Sequence, residues 1–201
     1  GIILEDDVLP RASFFRFCAE LLARYREDPA IGGISGVNLR RAGTGEASYR
    51  FSRFLPVWGW ATWRRAWQRH DPGLGDWSQR RRTGWLEAIA GRRFGRKMRG
   101  LLDSVADGSC DTWDYGWFLS CWRHGMAGCL PAVNLVENIG FGSPLASHCR
   151  RGRSPLPRAG ELAWPLRHPG GRGIDSRADA VLFERLYAPA PLLRAWRRIE
   201  P

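Results

Sequence analysis

The stretch Ile2-Ile3-Leu4-Glu5-Asp6-Asp7-Val8-Leu9-Pro10 decides how the rest of the chain is interpreted. Its short apolar run predicts a buried β-strand, and three carboxylates follow where that strand ends. Adjacent carboxylates repel one another, so fold stability gives no reason to group them. A divalent cation removes that conflict, because Mg²⁺ takes hard oxygen ligands and bridges carboxylates to phosphates. Ligands of open α/β sheets bind just beyond the strand ends, where these carboxylates are expected; an acidic turn without a ligand is the alternative.

Helix and strand signals alternate along the chain, which is typical of an α/β fold. A helix is predicted over about 14–26, where apolar residues recur on one face, and a strand follows over 30–36. The remaining predicted elements are helices at 62–69, 77–106 (two, with a break near Gly91), 112–123, 176–187 and 192–199, an extended segment at 129–136, and a loop at 143–173 that is rich in Gly, Pro and Arg.

The composition of the chain limits the classes of protein to which it can belong. A chain of 201 residues with 44% hydrophobic content can bury one sizeable core, so residues 1–201 are expected to form a single domain. No apolar run approaches the ~20 residues that span a bilayer. The five cysteines are odd in number and lack CxxC spacing, which is typical of a reducing compartment. These features favour a cytoplasmic protein.

The formal net charge of +11 comes almost entirely from arginine, and Lys97 is the single lysine. Such a bias is typical of a GC-rich genome. Arginines cluster at 80–82, 92–97 and 150–153, and they form either a solvated face or a surface for peripheral contact with the anionic inner face of a membrane. No nucleic-acid-binding motif accompanies the charge, so specific nucleic-acid binding is not expected.

The segment 5–17 resembles the metal-site segment of GT-A glycosyltransferases, and it is most similar to the N-acetylglucosaminyltransferase I type and related bacterial transferases. Four further segments match in the same order: 34–38, 58–63, 112–117 and 134–142. Together they cover about residues 1–145, with weaker echoes at 168–169 and 175–179. The resemblance implies a GT-A (Rossmann-like) nucleotide-diphospho-sugar transferase fold.

In that family the nucleotide-binding strands and helices precede the metal-site segment, whereas this sequence starts with it. The resemblance therefore implies an N-terminally truncated fold, the C-terminal portion of an enzyme that is inactive by itself. Residues 1–142 would form the metal-site and acceptor-side core, and residues 143–201 a loop and C-terminal helices.

The resemblance also assigns roles to the acidic segment. Asp7 would bind Mn²⁺ or Mg²⁺ directly, while Glu5 and Asp6 would contact the donor ribose or metal-bound water. Many GT-A enzymes supply a late histidine to the metal or the diphosphate, and His148 is the candidate here, although its spacing and flanking residues depart from the pattern. A zinc site that includes Cys121 and His124 is the competing interpretation, and it lacks the tight paired spacing of zinc ligands.

Asp114 is the candidate catalytic base. Capping by Asp111 or Thr112 would place Asp114 in the first turn of a helix, where free N–H groups and the helix dipole favour an ionised carboxylate. An inverting glycosyl transfer needs such a group to take the proton from the acceptor hydroxyl. The resemblance assigns that role to this Trp-Asp segment; an ordinary helix-start aspartate is the alternative, and Asp111 is a second candidate base.

Further positions are candidate substrate contacts. Trp58 and Trp60 offer flat apolar faces for a sugar, and Gly59 between them lets the backbone approach a ligand closely. Packing of these tryptophans in the core is the alternative. Asn38 follows a predicted strand and is a candidate partner for a sugar hydroxyl. Glu137, with its neighbouring asparagines, either lines the same cleft or forms a structural turn.

Together these features predict a metal-dependent, inverting glycosyltransferase. It would move a sugar from a nucleotide-diphosphate donor to a glycan or glycolipid acceptor. Two other functions stay open: a non-catalytic remnant that binds carbohydrate or a protein partner, and a basic interaction protein at membranes.

Overall fold

A computed structural model describes residues 1–39, 47–141 and 154–187, and these residues form an α/β fold. The strands are β1 (Ile2–Ile3), β2 (Val8–Pro10), β3 (Ile31–Ser35), β4 (Tyr49–Ser52), β5 (Trp60–Ala61), β6 (Ala127–Pro131) and β7 (Val136–Asn138). One sheet has the order β1-β5-β3-β6-β4, and β2 pairs with β7 in a separate antiparallel ribbon. Within the sheet β3 and β6 run parallel while the other pairs are antiparallel. The predicted α/β class is confirmed, with a mixed sheet.

The helices of the described residues are α1 (Ala12–Arg24), α2 (Arg64–Trp67), α3 (Trp77–Arg80), α4 (Trp85–Ala90), α5 (Arg92–Ala106), α6 (Asp114–Arg123) and α7 (Ser176–Leu186). The helices predicted at 14–26, 112–123 and 176–187 correspond to α1, α6 and α7. The one expected at 62–69 is shorter. The predicted helix at 192–199 lies outside the described residues, as does the first part of the predicted loop at 143–173.

The first strand is placed differently from the prediction. The apolar run at residues 2–4 was expected to form a buried strand within the sheet, but β1 lies at the edge and pairs only with β5. Ile2 is 37% exposed and Leu4 is 39% exposed. The prediction of burial was wrong because a short apolar run does not distinguish an edge strand from a central one.

The centre of the sheet is covered on both faces, since all five residues of β3 are buried. Leu55 packs directly over the backbone of the parallel pair β3 and β6. A β-carbon on Gly33 would lie 2.6 Å from Leu55 Cδ2, and one on Gly128 would lie 2.8 Å from Leu55 Cδ1. Glycines at these two positions therefore make room for the leucine side chain.

α1 packs its apolar face on the sheet through Phe14, Phe17 and Leu21, which are fully buried. A residue distant in sequence accepts a hydrogen bond at the N-terminus of α1: the Ser13 N–H donates to Glu161 Oε2 at 3.0 Å. The Ser13 hydroxyl in turn accepts from the Leu162 N–H at 3.1 Å. Residues 161–162 are thereby tied to the start of α1.

Residues 77–106 form three helices where two were predicted. The break at Gly91 is confirmed, and this residue has a φ of 90°. The other break covers residues 81–84 and ends at Gly84, the N-cap of α4, whose φ is 73°. Glycine adopts a positive φ at little cost, so Gly91 separates α4 from α5 and Gly84 allows α4 to begin.

The cysteines are free thiols at the four positions that the structure describes, namely Cys18, Cys110, Cys121 and Cys129. Burial raises the pKa of the Cys18 thiol to about 12 and holds the pKa of Cys121 and Cys129 above the ordinary value. Among the helices of the described ranges, none has the length and apolar character needed to cross a membrane.

Candidate functional site

A shallow pocket of about 50 Å³, partly open to solvent, lies between residues 56–58, the start of α6 and the end of α7. Its lining is mostly aromatic and apolar, with one carboxylate. The lining residues are Pro56, Val57, Trp58, Asp114, Tyr115, Phe118, Leu186 and Tyr187. The pocket combines apolar rings with a single carboxylate among its lining residues. It brings together two of the predicted site residues, Trp58 and Asp114.

Asp114 lies in the first turn of a helix, as predicted, and is the first residue of α6. The Thr112 hydroxyl donates to Asp114 Oδ1 at 2.6 Å, and the Tyr115 N–H donates to the same oxygen at 2.9 Å. The predicted cap by Asp111 or Thr112 is wrong, because Trp113 is the N-cap residue and makes no side-chain cap bond. Thr112 orients the carboxylate instead of capping the helix.

Trp58 connects this pocket to the acidic segment. The indole is half-buried and meets the Phe141 ring edge to face, with 5.6 Å between the ring centroids. Phe141 directly follows Gly140, and a β-carbon at Gly140 would overlap the Asp7 carboxylate. Asp7, Gly140, Phe141, Trp58 and Asp114 therefore form a continuous set of neighbours.

Asp7 lies in the turn before β2, against the end of β7. Its carbonyl accepts from the Ile139 N–H at 2.8 Å, and its Oδ2 accepts from Asn138 Nδ2 at 3.2 Å. The other carboxylate oxygen, Oδ1, is buried and has no hydrogen-bond partner. A buried carboxylate oxygen without a partner carries a desolvation cost that a bound ligand would offset.

The acidic segment was predicted to bind a metal ion. Within residues 1–39, 47–141 and 154–187, no group of three or more His, Cys, Asp or Glu side chains could hold a metal ion. Mg²⁺, however, is commonly held by one or two carboxylates and completes its shell with phosphate oxygens and water. The unpartnered Oδ1 of Asp7 fits one such ligand. Of the neighbouring acids, Glu5 is half-buried and Asp6 is exposed.

The predicted metal ligand His148 lies outside the described residues, as does Cys149. The zinc interpretation gains no support from the rest of its set. Cys121 and Cys129 are buried thiols, and His124 Nδ1 is 3.0 Å from Arg69 Nη1. No zinc-binding group forms among these described residues.

Two predicted substrate contacts are core residues in the structure, and both predictions need correction. Trp60 is 2% exposed and packs against Trp113 and Trp117, so its faces are not open to a ligand. Asn38 is 3% exposed. Its N–H donates to Asn134 Oδ1 at 3.1 Å, and its Nδ2 donates to the Ala132 carbonyl at 2.5 Å. Asn38 therefore joins two backbone segments and does not present its amide to a cleft.

Gly59 and Glu137 also have structural contacts. Gly59 adopts a φ of 64°, and a β-carbon there would lie 2.8 Å from Val136 Cγ1 and 3.3 Å from Val8 Cγ1. The absence of a side chain at Gly59 thus lets the ribbon of β2 and β7 pack against the backbone at this position. This packing explains the glycine without a ligand. Glu137 accepts from Arg11 Nη2 at 2.7 Å, and both side chains are about 40% exposed.

The sequence interpretation missed the contribution of α7 to the pocket. Leu186 and Tyr187 line it, although they are far from Trp58 and Asp114 in sequence. The apolar periodicity of 176–187 predicted a helix that packs on the core, and nothing in that pattern indicated which end would meet a pocket. Phe141 was missed as the neighbour of Trp58, because a ring contact between distant loops has no local sequence signal.

Comparison with known proteins identifies no relative: no family model, no curated protein and no solved structure matches the chain. The function has to be inferred from the residues and their arrangement.

Proposed function

We propose that this chain is the metal-site and acceptor-side part of an inverting, metal-dependent glycosyltransferase with a GT-A fold. It would move a sugar from a nucleotide-diphosphate donor to a glycan or glycolipid acceptor. The observation that carries the proposal is the position of Trp58, which lines the pocket with Asp114 and reaches the Asp7 turn through Phe141. The order of motifs in the sequence supports the same assignment.

Asp114 is proposed to act as the general base. Two hydrogen bonds to Oδ1 fix the carboxylate at the N-terminus of α6. An acceptor hydroxyl that enters the pocket would transfer its proton to this group as the new glycosidic bond forms. Trp58 and Tyr115 would exclude water from the pocket and orient the acceptor ring.

Asp7 is proposed to hold Mn²⁺ or Mg²⁺ through its unpartnered Oδ1. Asn138 would orient the carboxylate through its hydrogen bond to Oδ2, as outer partners of metal ligands do. When bound, the cation supplies positive charge that stabilises the nucleoside diphosphate leaving group. Glu5 and Asp6, in the turn before Asp7, would contact the donor ribose or metal-bound water.

Mn²⁺ binding can be tested on this chain without any enzymatic assay. Mn²⁺ titrated into the ¹⁵N-labelled chain should broaden the amide signals of residues near Asp7 and of residues 138–140, because the unpaired electrons of the metal relax nearby nuclei. Asp7→Asn should abolish this selective broadening. Asp107→Asn, at an exposed acid on the turn after α5, is the matched control and should leave it intact. Equal broadening in the Asp7 variant would sink the metal assignment.

Transfer is tested on the protein that the gene encodes, with a panel of nucleotide sugars. Mn²⁺-dependent release of one nucleoside diphosphate is the expected result and identifies the donor. Asp114→Asn should lower turnover by roughly 10²- to 10⁴-fold, the usual contribution of a general base, with little change in donor affinity. Asp111→Asn tests the other candidate base and should retain turnover. The reverse pattern would move the base to Asp111.

A non-catalytic carbohydrate-binding protein is the second candidate, and the aromatic lining of the pocket favours it. Such a protein would bind saccharide and release no nucleoside diphosphate from any donor. The basic interaction protein has weaker support, because several cluster arginines are ion-paired: Arg80 with Asp76, Arg81 with Asp103 and Arg93 with Glu184. Peripheral membrane contact and a cytoplasmic location stay predictions.

A further inference from the structure

Two tryptophans stand out on the surface beside the pocket. Trp67 is 41% exposed and Trp113 is 38% exposed, and their ring centroids are 6.0 Å apart at an interplanar angle of 71°. Each indole is more than half buried, and the exposed parts of the two rings form a small apolar patch. We call this pair the tryptophan platform.

A second layer of rings fixes the platform from below. Trp113 stacks on the buried Trp60, with centroids 5.7 Å apart and an interplanar angle of 26°. Trp67 contacts Trp117 at 5.3 Å and His70 at 4.5 Å. Rings held in this way lose little conformational freedom when a ligand binds, which removes part of the entropic cost of association.

Some tryptophans of the fold use their indole N–H within the protein, whereas the buried Trp60 and Trp117 have no hydrogen-bond partner for theirs. Trp63, Trp77 and Trp122 donate their indole N–H to Leu22 O, Asp103 Oδ1 and Arg53 O at 3.0, 3.1 and 2.8 Å, respectively. No described residue accepts a hydrogen bond from the indole N–H of Trp67 or Trp113. The platform thus combines flat apolar faces with available donors. A pyranose ring offers the complement, a C–H face bordered by hydroxyl groups.

The platform and the pocket are built from the same two segments. Trp58 and Asp114 line the pocket, while Trp60 and Trp113 form the adjoining stack. Trp113 is therefore adjacent in the chain to Asp114, which lines the pocket. A second copy of the protein is a poorer occupant, because each copy carries a formal net charge of +11 and like charges repel.

We infer that Trp67 and Trp113 bind a pyranose ring of a saccharide, as a subsite next to the pocket. The place of this subsite in a transfer reaction rests on the proposed function. Binding of the saccharide itself needs neither donor nor metal.

The inference is tested by saturation-transfer-difference NMR on the 201-residue chain, with cellobiose and N,N′-diacetylchitobiose as probes. Both are β-linked disaccharides whose rings display axial C–H groups on their faces. Sorbitol is the negative probe, because it has similar hydroxyl density and no ring face. Saturation should reach the axial ring protons of at least one disaccharide and should not reach sorbitol. Transfer to none of the probes, or equal transfer to all, would overturn the inference.

Variants locate the binding. Trp67→Leu and Trp113→Leu keep an apolar side chain over the buried rings and remove the indole. Each should weaken disaccharide binding by roughly threefold to tenfold, the range of aromatic stacking energies. Phe15→Leu is the matched control, since Phe15 is 45% exposed on α1 and lies outside the platform. Unchanged amide spectra elsewhere verify the fold, and unweakened binding in both tryptophan variants contradicts the inference.

Two further results distinguish this subsite from the proposed catalytic site and from a dimer interface. Asp114→Asn should retain disaccharide binding to the platform even though the proposed function requires it to lose turnover, so either hypothesis can fail alone. Sedimentation of the wild type and of Trp67→Leu tests self-association. A dimer that Trp67→Leu dissociates, together with no saccharide binding, would assign the platform to a second copy and overturn the saccharide subsite.

Discussion

Two aspartates show how differently this fold treats a buried carboxylate. Asp179, on α7, is 2% exposed and accepts three hydrogen bonds: from Arg50 Nη1 at 3.0 Å, Ser52 Oγ at 2.5 Å and the Arg53 N–H at 2.9 Å. Asp7, at the ribbon of β2 and β7, accepts one side-chain hydrogen bond on Oδ2 and none on its buried Oδ1.

The difference separates a carboxylate used for stability from one available for binding. Arg50, Ser52 and Arg53 satisfy Asp179 within the protein and tie α7 to β4 and the residue that follows it. No described residue donates a hydrogen bond to Asp7 Oδ1, and three other buried carboxylate oxygens in these ranges likewise accept none. A ligand that carries positive charge would satisfy it. The stability lost when a carboxylate is replaced should therefore be greatest where the carboxylate has the most hydrogen bonds and ion pairs within the protein.

Asp179→Ala should have the largest effect on stability. It leaves Arg50, whose side chain is 16% exposed, beside a cavity without its counter-charge, and it leaves Ser52 without its acceptor. Breaking a buried ion pair from one side typically costs about 3–5 kcal/mol. The free energy of unfolding, measured by denaturant titration, gives the value.

Glu137→Ala is the control for that experiment. Glu137 pairs with Arg11 at a similar distance, 2.7 Å, but both side chains are about 40% exposed. Exposed pairs contribute at most about 1 kcal/mol. If both variants lost the same free energy of unfolding, Asp179 would contribute no more to stability than an exposed ion pair.

The sequence predicted the helices better than it predicted the partners of the acids. α1, α6 and α7 were predictable because apolar residues recur with helical period over each segment. Asp175 and Asp179 were singled out only because residues 175–179 weakly match a family motif. A buried aspartate and a surface aspartate look alike in sequence, since the donors that satisfy Asp179 come from β4, more than a hundred positions earlier.

The candidate site was predictable in part for the same reason. Asp114 could be placed at a helix start from local pattern, and Trp58 was singled out with Trp60. Only the fold decides that Trp58 faces the pocket while Trp60 enters the core, since both are tryptophans two positions apart. The burial predicted for the first strand was wrong, because pairing partners are not encoded in a run of three apolar residues.

Asp175→Ala should have an intermediate effect. Asp175 is the N-cap of α7, and its side chain accepts from the Ala178 N–H at 2.9 Å. Loss of an N-cap typically costs about 1 kcal/mol. Asp175→Asn keeps the acceptor oxygen and should recover most of that stability in denaturant titration. If Asn and Ala were equally destabilising, charge rather than capping would be the important property of Asp175.

Glu161→Gln should have a smaller effect that depends on pH. Hydrogen bonds from Ser13 lower the pKa of Glu161 below its ordinary value of 4.5. Because the folded-state pKa is the lower one, the stabilisation is present above pH 4.5 and is lost as the pH falls through the folded-state pKa. The variant should therefore lose less stability than the wild type between about pH 6 and about pH 3. Glu27→Gln, at an exposed acid, is the control; identical pH profiles for Glu161→Gln and the wild type would exclude the proposed linkage.

Asp7→Asn should have the smallest effect on stability in the absence of ligand. The amide keeps an oxygen for Asn138 and replaces an unpaired charged oxygen by a neutral group, which is cheaper to bury. The free energy of unfolding should stay within about 0.5 kcal/mol of the wild type. Added Mn²⁺ should raise the melting temperature of the wild type and not that of the variant, because only a form that binds the ligand is stabilised by it. A loss of more than about 1 kcal/mol without Mn²⁺ would place Asp7 with Asp179 as a structural carboxylate, since the hydrogen bonds of the fold would then account for the group without a ligand.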